Sequence, residues 1–204
     1  FPLAALAEVG GEPDSIGVTV AEFHRLASER RQKNPHGLSA TATHDTKRGE
    51  DTRARLLVLA EVPHVWSEAT ARWGQLLSDH RSTLAGAEVP SRAEEYLFYQ
   101  TLVGTWPSGG PTHEPGYVER IRNYLNKALL EAKVNTSWIN RDEPYEAAVA
   151  RFVEASLDPE RSRAFLEDCG RFAALVARPG YFTSLSQVVL KLAAPGVPDL
   201  YQGT

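Results

Sequence analysis

Residues 41–51 read TATHDTKRGED, and this stretch joins two segments of different character. Before it, residues 37–43 (GLSATAT) are small and β-branched, which is typical of a short buried strand. After it, the run RARLLVLAEV is amphipathic and predicts a helix over Glu50–Glu61. Six of the eight residues from His44 to Asp51 can carry a charge. The sequence therefore places a dense polar cluster where a strand passes into a helix.

On the N-terminal side of the cluster, the first 17 residues predict a short helix followed by irregular chain. Thr19 and Glu22 then have the spacing of a capping box, which predicts a helix from Val20 to Lys33 that stops before Asn34.

On the C-terminal side, nearly everything up to Pro195 has helical periodicity, and a second capping box is formed by Ser91 and Glu94. Strand character returns only at residues 197–201. A helical block between two short strands indicates an excursion from a sheet or barrel. The further predicted helices are His64–Leu84, Arg92–Thr105, Glu114–Lys133, Tyr145–Leu157, Pro159–Ala177 and Tyr181–Leu192.

Composition limits the possible partners. The 22 basic and 26 acidic residues give a net charge of −4, which argues against nucleic acid as a ligand. No stretch approaches 18 uninterrupted apolar residues, so no transmembrane helix is expected. The single cysteine, Cys169, excludes an intramolecular disulfide and indicates a reducing, cytoplasmic location; we expect it to be buried. There is no methionine, and both ends look cut, so we expect a piece of a longer polypeptide.

The polar cluster supports more than one interpretation. If the strand at residues 37–43 belongs to a parallel barrel, His44 and Asp45 follow its carboxyl end, where barrel active sites lie. Alternatively, Asp45 or Thr46 caps the following helix, and the basic residues form a solvated face.

Two other classes of protein also stay open. His44 and Asp45 could bind a metal in an HD-type phosphohydrolase, with His24, His36 or Asp51 as further ligands. Against this, the pair follows a strand-like segment rather than lying within a helix. The chain could also be a helical interaction module without catalytic activity.

Four long blocks of the sequence resemble one family. They are ATATHDTKRGEDTRARLLVLAEVPHVW, SRAEEYLFYQTLVGTWP, KALLEAKVNTSWINRDEPYEAAVARFV and SLSQVVLKLAAPGVPDLYQGT. Together they look like maltooligosyltrehalose synthase, a member of the α-amylase superfamily of glycoside hydrolase family 13 type. The THDTKRGED and PGVPDLYQG motifs are the most specific, and the resemblance runs over essentially all 204 residues.

The resemblance implies a mainly α fold, in which a helical insertion domain is bracketed by two short parallel strands from a (β/α)8 barrel. Residues 1–45 would be a barrel-derived segment whose strand ends at the catalytic rim. Residues 46–192 would form the helical insertion domain, and residues 193–204 would return to the next barrel strand.

The resemblance also implies an activity, the conversion of the reducing-end α-1,4 linkage of a maltodextrin into an α,α-1,1 linkage. Asp45 would stabilise the transition state, His44 would bind the same sugar, and Lys47 and Arg48 would bind the reducing-end glucose. Tyr201 would lie near the rim at the end of the last strand.

Within the helical block, Trp138 is a candidate sugar contact, because it lies in a break between helices among amide and hydroxyl side chains. Its other interpretation is a core anchor, which is also what we expect of Trp66, Trp73 and Trp106.

No metal and no organic cofactor are expected. The expected partners are a maltooligosaccharide and the remainder of the barrel, with no nucleic acid and no membrane. The nucleophile and general acid of this superfamily come from earlier strands that this sequence does not contain. We therefore expect the isolated 204-residue chain to be inactive.

Overall fold

The computed structural model describes residues 17–202, so the short helix expected before Gly17 lies outside the described residues. The chain forms two compact units. The first holds the described residues up to Pro63 together with those from Val176 onward, and the second holds His64–Leu175.

The first unit contains the strand pair. Its elements are α1 (Val20–Lys33), β1 (Leu38–Ala40), α2 (Glu50–Val58), the part of α7 (Arg163–Ala193) from Val176, and β4 (Val197–Asp199). Strands β1 and β4 are hydrogen-bonded in parallel, with Leu38 opposite Val197 and Ala40 opposite Asp199. This confirms the expected pair of short parallel strands at the two ends of the helical block.

Strand β1 is shorter and more exposed than the sequence predicts. Three residues are in strand conformation rather than seven, and the Leu38 side chain is 72% exposed. The prediction of a buried strand is therefore wrong for this chain. The strand is short because, within residues 17–202, it pairs with β4 alone and over three residues. The Leu38 side chain is exposed because no part of that range packs over the face from which it points.

Both predicted capping sites begin helices. The Thr19 hydroxyl accepts a hydrogen bond from the Glu22 amide at the start of α1. At the start of α4 (Arg92–Thr105), Ser91 and Glu94 form the complete reciprocal capping box. These helix starts follow from local hydrogen bonding, which explains why sequence spacing finds them.

The second unit is mostly helical. Its elements are α3 (Pro63–Leu76), a 3₁₀ turn (Ser78–His80), β2 (Ser82–Leu84), β3 (Ala87–Val89), α4, a 3₁₀ turn (Pro111–His113), α5 (Tyr117–Ala132), α6 (Glu143–Ser156) and the part of α7 up to Leu175.

An aromatic cluster forms the centre of the second unit. Trp66 and Trp73 lie edge to face, with ring centroids 5.6 Å apart, and both contact Phe172. Both tryptophans are buried, as predicted, whereas Trp106 is half-buried. Cys169 is buried too, and its burial raises the pKa of the thiol. Further buried aromatic residues of this cluster are Phe98, Tyr99, Phe152 and Phe165.

One predicted helix is partly wrong. The helix expected over His64–Leu84 ends at Leu76, and strands β2 and β3 then form an antiparallel hairpin. Its two-residue loop, Ala85 and Gly86, has positive φ at both positions, as a type I′ turn requires. The buried Val89 packs with Leu129, Tyr145, Ala148 and Val149, a long-range contact that local periodicity cannot reveal.

The break expected between Ala177 and Tyr181 is also wrong. Helix α7 is continuous from Arg163 to Ala193, with Pro179 inside it. A Pro–Gly pair normally ends a helix. Here Gly180 is buried against Arg55 of α2, so tertiary packing outweighs the local signal. Across residues 17–202, no helix combines the length and apolar character that a membrane span needs.

Candidate functional site

His44 and Asp45 occupy the centre of a turn held by two threonines. The Thr46 amide donates to the Thr43 carbonyl at 3.1 Å, and the Thr43 amide donates to the Thr46 hydroxyl at 2.8 Å. The Asp45 amide donates to the Thr43 hydroxyl at 3.3 Å. Threonine side chains thus replace part of the backbone hydrogen bonding of the turn. The two central side chains remain available for other contacts.

The two side chains point to solvent as a pair. His44 Nε2 lies 3.4 Å from Asp45 Oδ2, and the Asp45 side chain is 61% exposed. An exposed carboxylate can accept hydrogen bonds from a ligand with two oxygens, and the imidazole beside it can donate one.

The turn lies at the carboxyl edge of the strand pair. It begins three residues after β1 ends at Ala40, and Ala40 is in register with Asp199, the last residue of β4. Tyr201, which follows β4, is half-buried in a turn at the same edge, and its hydroxyl accepts from Gln202 Nε2 at 3.3 Å. The fold therefore brings the segments containing Asp45 and Tyr201 to one edge.

No side chain of the polar cluster caps helix α2. The N-cap of α2 is Gly49, which has no side chain to accept a hydrogen bond, so the proposed caps Asp45 and Thr46 are wrong. Lys47 is exposed and Arg48 is half-buried, and both make interactions within the chain. Residues 44–49 of the cluster form a loop between strand and helix, and Glu50 and Asp51 lie in the first turn of α2, as expected for acidic residues near a helix N-terminus.

Glu50, the first residue after this loop, forms a buried ion pair with Lys191. Lys191 Nζ donates to Glu50 Oε1 at 2.6 Å and to the Asp199 carbonyl at 3.2 Å. The Thr41 hydroxyl also donates to Glu50 Oε1. Burial by itself would raise the pKa of Glu50, but the hydrogen bonds from Lys191 and Thr41 outweigh it and lower that pKa. Glu50 is thus held as a carboxylate.

Sequence reasoning missed this pair as part of the site. One signal was present: Lys191 is a single charge inside the apolar run VVLKLAA, and a buried lysine needs a partner. The identity of the partner could not be read, because Glu50 is far from Lys191 in sequence.

Trp138 belongs to the second unit, in the connection between α5 and α6. It is 57% exposed, which excludes the core-anchor interpretation in this chain. The connection is ordered by polar contacts: the Ser137 amide donates to the Asn140 carbonyl at 2.9 Å, and Thr136 donates to Glu146 at 2.7 Å. Trp138 is therefore an exposed ring on a hydrogen-bonded loop.

The alternative metal site is not assembled in the described chain. Between residues 17 and 202, no three His, Cys, Asp or Glu side chains are grouped so that they could bind a metal ion. Of the candidate ligands, Asp51 accepts a hydrogen bond from Ser184, and His24 lies edge-on to Phe23.

These features are those of a ligand site in a parallel α/β protein. Polar groups on loops at the carboxyl edge of parallel strands are typical of ligand sites in parallel α/β proteins. The comparisons with known proteins specify the family. No protein-family model matches the chain.

A curated relative, a putative maltooligosyl trehalose synthase from Mycobacterium tuberculosis (strain ATCC 25618 / H37Rv), is 36% identical over 202 residues. That match covers 99% of this chain and 24% of the relative.

Solved structures agree with the sequence match. A crystal structure of maltooligosyl trehalose synthase matches with a TM-score of 0.82 at 33% identity, over 98% of this chain and 26% of the other. The maltooligosyltrehalose synthase from Arthrobacter ramosus matches with a TM-score of 0.79 at 35% identity, over 98% and 24%. The chain is thus homologous, over nearly its whole length, to one segment of the maltooligosyl trehalose synthases. It spans about a quarter of the length of these relatives.

Proposed function

We propose that this chain is the part of a (1→4)-α-D-glucan 1-α-D-glucosylmutase that supplies one carboxylate of the active site. The intact enzyme would convert the reducing-end α-1,4 linkage of a maltodextrin into an α,α-1,1 linkage, forming maltooligosyl trehalose. The observation that carries this proposal is the turn at residues 43–46. It presents Asp45 to solvent at the carboxyl edge of β1 and β4, in a chain similar throughout to maltooligosyl trehalose synthases.

Strands β1 and β4 would be neighbours in a (β/α)8 barrel completed by the rest of a longer protein. Parallel pairing at matched register supports this. So does the exposure of Leu38, Val197 and Leu200, since strands in a closed barrel are covered on both faces.

Asp45 would act on the transition state. Retaining glycosyl transfer uses a nucleophilic carboxylate and a protonated acid about 5–5.5 Å apart, through an oxocarbenium-like transition state. Those two groups would come from other strands of the barrel. Asp45 would accept hydrogen bonds from hydroxyls of the reacting sugar, which strengthen as the ring distorts and so lower the barrier. His44, 3.4 Å away, would bind the same sugar.

The other predicted site residues would hold the sugar that leaves. The released glucose must be kept in the site until its anomeric hydroxyl attacks the sugar held on the nucleophilic carboxylate. Water must be excluded during this time, because it would attack the same sugar. Lys47 and Arg48 would donate hydrogen bonds to this glucose. Tyr201 and Trp138 would offer aromatic surfaces to sugar rings. No metal or organic cofactor is needed for this chemistry.

The function is tested by Asp45→Asn in the full-length protein. The substitution keeps the size of the side chain and removes its charge, so we expect kcat for conversion of maltopentaose to maltotriosyl trehalose to fall at least about 100-fold, equivalent to about 3 kcal/mol. Product formation would be followed by chromatography.

The matched control is Asp79→Asn, an exposed aspartate of the second unit, which should leave kcat unchanged. A kcat within tenfold of wild type for Asp45→Asn would contradict the role assigned to Asp45. A wild-type protein that forms no trehalose linkage would contradict the function itself.

A further inference from the structure

The ion pair between Glu50 and Lys191 is largely buried. The Lys191 side chain is 2% exposed and that of Glu50 is 10% exposed. Exposed ion pairs are common at protein surfaces and contribute little. A pair taken out of water is different, because both charges lose their hydration and need good geometry to compensate.

The pair joins the ends of both parallel strands. Glu50 accepts from Thr41, the residue directly after β1, and Lys191 donates to the carbonyl of Asp199, the last residue of β4. Arg53 adds a second tie, because its guanidinium donates to the Thr41 carbonyl. Two regions that are distant in sequence, residues 41–50 and 191–199, are thus connected through one ammonium and one carboxylate.

The same contacts close the loop that carries the candidate catalytic group. Thr41 and Glu50 are the two ends of a ten-residue segment, and Asp45 lies between them. Tying both ends together restricts the positions that the turn at residues 43–46 can adopt. Displacement of a catalytic group by about 1 Å can cost about 100-fold in rate.

Stability alone does not account for the pair. Replacing a buried ion pair with apolar side chains of similar volume is often neutral or stabilising. The contacts of this pair are directional, and they end at the edge where Asp45 and Tyr201 lie.

We propose that Glu50 and Lys191 are positioning residues, which hold Thr41 and Asp199 so that Asp45 is placed correctly against the reacting sugar. This inference rests on the proposed function of Asp45. Neither residue touches substrate in this proposal; both act through the loop.

The test uses Glu50→Gln and Lys191→Met in the full-length protein with maltopentaose. Each removes one charge at nearly constant volume. We expect kcat to fall about 10- to 100-fold and KM to rise by a smaller factor. The displaced loop carries His44, Lys47 and Arg48, which bind sugar, but the contacts of Asp45 strengthen in the transition state and so lose more. Activity is normalised to folded protein and measured well below the unfolding midpoint, so that a purely structural loss would leave kcat unchanged.

The matched control is the exposed pair Lys127 and Glu131, whose charged atoms lie 3.9 Å apart on α5. Lys127→Met and Glu131→Gln make the same chemical changes and should alter neither kcat nor KM. A kcat within twofold of wild type for folded Glu50→Gln would overturn the proposal.

A second variant decides the matter if the buried substitutions prevent folding. Thr41→Val removes the hydroxyl that donates to Glu50, and we expect kcat to fall about three- to tenfold with a smaller change in KM. An unchanged kcat for Thr41→Val would overturn the positioning role. If Asp45→Asn is inactive while Glu50→Gln behaves as wild type, the positioning role fails and the proposed function stands.

Discussion

The side chain of Asp45 is 61% exposed, and it lies in a turn whose backbone amides donate to two threonine hydroxyls. The Thr46 hydroxyl accepts from the Thr43 amide, and the Thr43 hydroxyl accepts from the Asp45 amide. Short-range hydrogen bonds thus determine the turn. The sequence of residues 43–46 is enough to predict that a carboxylate and an imidazole lie side by side.

Trp138 is the second residue whose role depends on exposure. In the full-length protein, Trp138→Ala should raise KM for maltodextrin about 5- to 30-fold, because a sugar ring loses an aromatic face worth about 1–2 kcal/mol. The unfolding midpoint should change little, since an exposed ring contributes little to folding. Steady-state kinetics and thermal unfolding measure the two effects.

The control is the neighbouring Ile139→Ala, which removes an almost fully exposed aliphatic side chain. Equal KM values for Trp138→Ala and wild type would show that this ring does not bind sugar.

Among the elements, helix α7 is the clearest example of packing that outweighs local sequence preference. Pro179 removes one backbone donor, yet the 31-residue helix continues past it to Ala193. The reason lies at Gly180, where α7 approaches α2 so closely that an added Cβ would lie 2.8 Å from Arg55 Cγ and 3.1 Å from Arg55 Cα. The absence of a side chain at Gly180 allows this approach.

Gly180→Ala should therefore destabilise the protein by about 1–3 kcal/mol, because the clash involves backbone and exceeds the gain of about 1 kcal/mol in helix propensity. Unfolding in guanidinium chloride would measure this.

Gly170→Ala in the same helix is the matched control. Its added Cβ would meet the Trp106 ring at 3.5 Å, an ordinary contact, so the variant should be neutral or slightly more stable. Equal effects of the two substitutions would contradict the close-approach argument.

At the scale of the whole molecule, the first unit leaves many apolar side chains uncovered. Large exposed apolar patches mark surfaces that bind another surface. This agrees with a chain that spans about a quarter of its relatives. Exposed apolar residues of this unit include Val20, Leu26, Leu38, Phe182, Leu185, Val189 and Leu200.

The 204-residue chain alone should form no trehalose linkage, because the nucleophile and the general acid would lie in other strands. Incubation with maltopentaose, followed by chromatography for maltotriosyl trehalose, tests this at high enzyme concentration. The control is the full-length protein under the same conditions, and clear turnover by the short chain would refute the prediction.

Features set by neighbours in sequence were predicted. The helix over Val20–Lys33 and the capping box at Ser91 are confirmed. The parallel strand pair is confirmed as well, but it joins distant segments and was implied by the resemblance. The hairpin after α3 was not predicted, because Ala85 and Gly86 lack the usual turn signature and Val89 is buried by residues more than 35 positions away.

The sequence by itself determined the mainly helical block, the polar turn containing His44 and Asp45, and the resemblance that assigns them a role. Only the tertiary structure decided which charges are buried together. Glu50 and Lys191 lie 141 positions apart, and their pairing depends on α2, α7 and both strands meeting at one edge. Local hydrogen bonds can be read from spacing, whereas a buried ion pair exists only where distant segments together exclude water.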